Sequence, residues 1–258
     1  MIELSMGSTR KCIFCTETAT SIEDAWPRWL LRRLPGSRSS IMYAERGAGA
    51  VLESWPTKSA AIRVKRVCGH CNNGWMSRLE NRAKPVIESL IDDRRDALHL
   101  KSMQSIAVWA VKTAMVLESA LPPSEWFFTD QERERLRIDE SFPPWTSVWI
   151  AKCVEHSGLY SVCKRLRDTE TVGAETATAS VTTMAFATLA IQTRTMRLSS
   201  RVLENTRVTV AERAGPWDEL ILQVWPTLID QVSWLPGMAC RGEAGLHELT
   251  ERFSMASQ

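Results

Sequence analysis

Two Cys-x-x-Cys pairs carry the clearest chemistry in this chain: Cys12-Ile13-Phe14-Cys15 and Cys68-Gly69-His70-Cys71. A soft divalent metal held by four thiolates needs two such chelating turns, so the pattern points to a tetrahedral structural zinc site. Four thiolates close the coordination sphere, and an ion so held staples a fold without offering a position for substrate. A thioredoxin-like redox role fits less well, because that motif stands alone on a βαβ unit. The other cysteines, Cys153, Cys163 and Cys240, are scattered and bring the count to an odd seven. That is no disulfide framework, and it implies a reducing, cytoplasmic compartment.

The elements that must position these residues follow from periodicity. Pro27 followed by Leu30, Leu31 and Leu34 predicts a short helix, stopped by Pro35-Gly36-Ser37. Residues 36–61 are rich in Gly, Ser and Ala and read as loop, with a strand near Val51 to Trp55. Ile62 to Val67 alternates apolar and basic residues, which predicts a half-exposed strand running into the second cysteine pair. Its alternation puts Arg63 and Lys65 on one side. Beyond Cys71, Trp75, Met76, Leu79, Ala83, Ile87 and Leu90 recur at helical steps; Asn72 or Asn73 supplies a cap, and Pro85 predicts a break or kink.

The charged run Asp92 to Asp96 marks a boundary, dividing the chain into an N-terminal module (1–95) and a C-terminal one (96–258). Residues 102–120 form a helix apolar on most sides, with Lys112 the unusual member, expected to snorkel or to pair with a carboxylate. Thr129 and Glu132 fit a capping box for a surface helix, so helices occupy 102–140. From Trp145 the period becomes two. Trp145 to Val154 and Leu159 to Leu166 read as a hairpin about His156-Ser157-Gly158, and further strands over 176–198 and 220–226 complete a mainly antiparallel set over 145–226. Leu246 to Phe253 predicts a last short helix. The fold class is therefore α+β.

Composition is that of an ordinary water-soluble protein, with 44% hydrophobic and 24% charged residues and no uninterrupted apolar run of membrane-spanning length. The N-terminal residues lack a basic region followed by an apolar core, so no secretory signal is expected. Net charge is only +2, but residues 1–95 hold 16 Lys and Arg against 10 Asp and Glu, so the basic half is the half with the cysteine pairs. Such asymmetry favours a phosphate-backbone partner. The eleven tryptophans fall in both halves and read mostly as core anchors, with no single stacking platform implied.

Cys-x-x-Cys, then Ser21-x-Glu23-Asp24-x-x-Pro27-x-Trp29-Leu30, then Val67-Cys68-x-x-Cys71-Asn72-Asn73-Gly74-Trp75-Met76-Ser77-x-Leu79-Glu80, resembles the zinc-bearing HNH endonuclease-like proteins of bacteria and phages. The likeness is densest over residues 12–85. Trp109 to Ala114 and Val148-Trp149-Ile150 are similar to the C-terminal region of that family. The resemblance implies a zinc-stapled ββα-metal module, in which a hairpin and a helix hold a catalytic divalent ion, Mg²⁺ or similar, against a scissile phosphate. It assigns Glu23 as a metal-binding carboxylate, puts Asp24 where the family has its histidine base, and gives Asn72 a further metal contact. The motif's upstream asparagine has no counterpart before Cys68.

An aspartate of ordinary pKa ~3.9 is a weak base unless buried or beside another carboxylate. Adjacent Glu23 and Asp24 supply that second carboxylate, or both hold the ion, which itself acidifies its water. The same pair also suits a helix N-terminus, stabilised by the dipole. Arg28, Arg32, Arg63, Lys65 and Arg66 would track phosphates, or form solvated faces.

The expectation is thus a metal-dependent nuclease hydrolysing phosphodiester bonds, with nucleic acid, DNA first, as partner and no membrane. Its alternative is a catalytically weakened relative that binds nucleic acid or protein. A third reading is a structural zinc module that meets another protein through its Trp-rich C-terminal sheet.

Overall fold

The computed structural model describes residues 10–34, 40–46, 50–57, 62–94, 97–156, 158–167, 178–197, 210–212, 221–227, 229–234 and 240–255. The Pro35 to Ser37 stop lies outside them, as do Arg95 and Asp96 of the boundary run.

The chain is mixed α+β. A two-stranded antiparallel sheet pairs β1 (Ser21–Asp24) with β4 (Arg63–Val67). Between these strands come α1 (Arg28–Leu31) and two further strands, β2 (Ser40–Arg46) and β3 (Ala50–Thr57). After β4 a single turn, α2 (Gly69–Cys71), leads through a wide turn at Asn72–Met76 into α3 (Ser77–Ile91). Gly74 adopts φ −93°, ψ −107° in that wide turn, which re-aims the chain between the two helical segments. In chain order α3 thus follows β4 after the α2 turn and the wide turn.

Pro85 does not break α3. It lies on the exposed face, so the bond it forfeits, to the carbonyl of exposed Asn81, is lost where solvent can replace it.

A short strand, β5 (Ala97–His99), precedes α4 (Leu100–Glu118). From Met103 to Glu118 every residue of α4 except Gln104 is buried, including Lys112 at 1% exposure. Then comes α5 (Asp130–Asp139), opened by the expected capping box: Thr129 Oγ1 accepts from the Glu132 amide at 3.2 Å, and Glu132 accepts from the Thr129 amide at 2.7 Å.

The main sheet is built on β6 (Thr146–Val154), β7 (Leu159–Arg167), β8 (Thr178–Phe186), β9 (Leu189–Arg197) and β11 (Ile221–Trp225). Its order is β11-β6-β9-β8-β7-β2-β3. The expected hairpin between β6 and β7 is not formed, because the β8–β9 hairpin inserts between them. Period-two alternation marks a strand but not its partner. The tight turn lies instead at Ala187-Thr188, where Ala187 takes φ +49°.

Residues 36–61, read as loop with one strand, contain both β2 and β3. These extend the main sheet through a parallel pairing of β2 with β7, so backbone hydrogen bonding joins the stretch between the cysteine pairs to the C-terminal strands. A second parallel contact runs from β13 (Cys240–Arg241) to β6, just before α6 (Gly242–Glu251). Two small pairings complete the described topology, β12 (Gln231–Ser233) with β5 and β10 (Val210–Glu212) with β14 (Phe253–Met255).

One apolar cluster runs continuously from the cysteine turns through α3 and α4 to the sheet, with Phe14, Trp26, Trp109 and Phe186 among its buried members. The rings of Trp26 and Trp109 both meet Phe186 edge-on, at 5.7 and 6.1 Å. The α4 helix is thus the shared wall between the cysteine-bearing segment and the sheet. Among the described residues no helix is long and apolar enough to cross a membrane.

Candidate functional site

The two cysteine turns meet. The sulfurs of Cys12, Cys15, Cys68 and Cys71 all lie within 4.8 Å of one another, with Cys15 at 3.6 Å from both Cys68 and Cys71. A tetrahedron with Zn–S bonds of ~2.3 Å has edges of about 3.8 Å, so the spacing suits one ion of that size. The first turn is fixed by main-chain bonds, Cys12 N to Glu17 O at 2.8 Å and Ile13 N to Arg66 O at 2.9 Å. The latter ties it to the end of β4. Backbone amides also face the sulfurs, Phe14 N to Cys12 at 3.5 Å and Cys71 N to Cys68 at 3.3 Å. Outside the cluster, Phe14 packs edge-on against Trp75 at 5.0 Å, and Arg137 of α5 donates to the Phe14 carbonyl at 2.9 Å.

Crowding makes these thiols unequal. The hydrogen bond from Cys71 lowers Cys12 to about 5, whereas burial pushes Cys68 up to about 12. Packed, partly buried thiols cannot all ionise without a cation among them, and a divalent ion satisfies the set at once. These four cysteines could hold a metal ion.

The three residues assigned beside this cluster do not stay together. Glu23 points inward and is buried, and Asn72 lies near it, donating to Ser21 Oγ at 2.7 Å. Asp24 leaves on the other side of β1, as strand alternation requires. There it accepts from Arg28 Nε at 3.2 Å and from Arg63 Nε at 3.0 Å. Among the described residues the four cysteines are the one group of three or more Cys, His, Asp or Glu close enough to share an ion; Glu23 and Asp24 do not make a second. His70, inside the second turn, is exposed.

Glu23 acquires a different neighbour. Lys112, projecting from α4, brings Nζ to 4.0 Å from its carboxylate, and the same amine lies 5.8 Å from the Trp109 ring. Burial raises the pKa of Glu23; the attraction of Lys112 opposes that, while Glu80 and Asp24 reinforce it. Lys112 is flagged by sequence as a lone cation on an apolar helix, but its partner is not. Ser21, two residues from Glu23 on the same strand, and Glu80 of α3 complete this group, and no spacing in the sequence marks them as its members.

Of the basic residues, Arg28, Arg32, Arg63 and Lys65 are exposed. Arg28 and Arg63 are drawn together by Asp24, and Arg32 follows Arg28 by one helical turn. Arg66 departs from this set. It is half-buried, with its guanidinium 5.2 Å from the Trp126 ring centroid. Burial, and then the like charge of Arg10, hold Arg66 below the usual arginine range.

Compared with family models, curated proteins and solved structures, the chain matches none of them.

Proposed function

We propose that this chain is a zinc-stapled, HNH-like nucleic-acid-binding protein in which phosphodiester hydrolysis is weakened. The observation that carries the reading is the outward set of Asp24. The residue at the motif's histidine position is engaged by Arg28 and Arg63 and faces away from Glu23 and Asn72. Each of its two carboxylate oxygens is already engaged by a guanidinium, so it is not positioned to take a proton from a water held at Glu23 and Asn72. The clamp also gathers two cations on an exposed face beside Lys65, which suits contacts to phosphates.

Cys12, Cys15, Cys68 and Cys71 would hold the zinc, whose chemistry is structural. The succession of β1, β4 and α3 is consistent with a ββα-metal module.

A hydrolytic reading is favoured by one observation, the proximity of Glu23 to Asn72, which could hold a hard divalent ion such as Mg²⁺. Such an ion would supply charge neutralisation at a phosphate and a more acidic water. In that case Glu23 and Asn72 would orient the ion, and Lys112 would limit the negative charge at the site.

Fluorescence anisotropy with labelled oligonucleotides across a salt series, run beside plasmid and single-strand cleavage with Mg²⁺, Mn²⁺, Ni²⁺ or EDTA, tests the proposal. Salt-dependent binding is expected, with cleavage no higher than that of Glu23→Gln. Cleavage that requires a divalent ion and disappears in Asp24→Ala would replace this reading with the nuclease one.

A further inference from the structure

Beside the cysteine cluster lies a hollow of roughly 500 Å³, lined by Arg10, Lys11, Arg66, Trp126, Asp130 and Glu134 among others. Its charges are unevenly matched. Asp130 already pairs with Arg133 at 3.3 Å, and Glu134 with Arg137 at 3.6 Å. Arg10, Lys11 and Arg66 have no carboxylate partner among the described residues.

Trp126 supplies an internal comparison, since two guanidiniums pack on its indole. Arg133 sits 4.6 Å from the ring and is also bonded to Glu118 at 3.1 Å, so its charge is answered. Arg66, at 5.2 Å, has only the ring. Stacking on an aromatic face holds the guanidinium plane while leaving its N–H edge available to an acceptor. The indole N–H of Trp126 is turned to the Leu121 carbonyl at 3.0 Å, which anchors the ring itself. Arg10 is fixed at its backbone, where its carbonyl accepts from Ala19 N at 2.8 Å. Two arginines and a lysine therefore converge on one recess whose acidic residues are occupied elsewhere.

We propose that the Arg10–Arg66 hollow is an oxyanion site for a phosphate group, presented either by a nucleic-acid backbone or by a small phosphate ester. It extends the nucleic-acid reading by giving Arg66 a role separate from the Arg28–Arg63–Lys65 face. Guanidinium edges pair with phosphate oxygens in bidentate fashion, and Lys11 adds a point charge at the rim. At roughly 500 Å³ the recess is larger than a phosphate group alone and leaves room for the part of the molecule that carries it.

The test uses the full chain and two probes, inorganic pyrophosphate by isothermal titration calorimetry and a short labelled oligonucleotide by anisotropy. Arg10→Gln, Arg66→Gln and their combination are compared with Lys101→Gln, which removes one exposed charge elsewhere. Metal content and melting are measured for each. Arg10 is exposed, so its variant remains informative even if Arg66→Gln destabilises the fold. Pyrophosphate binding is expected to weaken about tenfold or more per arginine, the scale of a lost charge-assisted hydrogen bond, and to be unaffected by Lys101→Gln.

If the phosphate comes from nucleic acid, the double variant also lowers the oligonucleotide salt slope by about 1.5 to 2. Pyrophosphate binding without oligonucleotide binding keeps this site as one for small phosphate esters and removes the nucleic-acid reading. Oligonucleotide binding indifferent to both arginines keeps that reading and removes this site. Failure of the wild-type protein to bind either probe, or binding of pyrophosphate that both variants retain, overturns the proposal.

Discussion

The ε-amino group of Lys112 sits 4.0 Å from the carboxylate of Glu23, and both side chains are buried. At that separation the pair is an ion pair without a hydrogen bond between its charges. It joins α4, the wall of the main sheet, to β1 of the cysteine-bearing segment. Removing one partner strands the other charge in the core, whereas replacing both leaves no buried charge unanswered. Glu23→Gln and Lys112→Met are each expected to lower unfolding free energy by about 3 to 5 kcal/mol, and the double variant to recover most of that loss. Denaturant unfolding of the four proteins measures the coupling. Simple additivity would mean that the two groups do not interact.

The same pair sets a pH dependence. Burial raises the Glu23 pKa above its ordinary 4.5, so the native state binds this proton more tightly than the unfolded state does. Its contribution to stability is fully present below the unfolded value and is lost as pH rises through the folded one. Acidifying from neutrality toward 4.5 should therefore improve wild-type stability relative to the Glu23→Gln/Lys112→Met variant. Glu118 is also raised by burial, but it is present in both proteins and cancels. Paired denaturant curves at several pH values check the sign, and a gap that narrows on acidification would refute it.

The parts of this architecture that are local in sequence were legible, and the parts set by long-range pairing were not. Cys12 to Cys15 and Cys68 to Cys71 announce themselves because chelation requires fixed spacing. Thr129 and Glu132 do so because a capping box is a four-residue device. The apolar run of α4 predicts its own burial. By contrast, alternation in β6 and β7 contains nothing that says β8 and β9 will come between them. The entry of β2 into the sheet beside β7 is likewise a tertiary choice. At the site, Glu23 and Asp24 look equivalent as neighbours, yet alternation sends one to Lys112 and the other to Arg28 and Arg63.

Chelation should matter to the whole N-terminal segment, because the cluster links the residues before β1 to those after β4. One zinc per chain is expected from elemental analysis of protein purified without chelator. Cys71→Ser, at a buried position that hydrogen-bonds Cys15, should abolish that stoichiometry and lower the melting temperature. Excess EDTA at elevated temperature should reproduce the loss in the wild type. A chain that melts identically with and without chelator, and contains no metal, would remove the zinc.

Glu118 closes a second buried network that sequence did not signal. Its carboxylate accepts from Phe127 N at 2.6 Å and from Phe128 N at 3.2 Å, and pairs with Arg133 at 3.1 Å and Arg165 at 3.3 Å. It thereby ties the end of α4 to α5 and to β7. Glu118→Gln keeps one acceptor oxygen but removes the charge that answers buried Arg133. A loss of about 3 kcal/mol is expected, because Arg133 then loses its buried counter-ion and keeps only the solvent-exposed Asp130. The exposed clamp gives the contrasting case. Asp24→Asn frees Arg28 and Arg63, which are 80% and 62% exposed, and should cost no more than about 1 kcal/mol. It should also tighten oligonucleotide binding at low salt, since two arginines lose their internal competitor. Denaturant unfolding and anisotropy on this one variant read both effects. Weaker binding with unchanged stability would place the acid, and not the arginines, at the nucleic-acid interface.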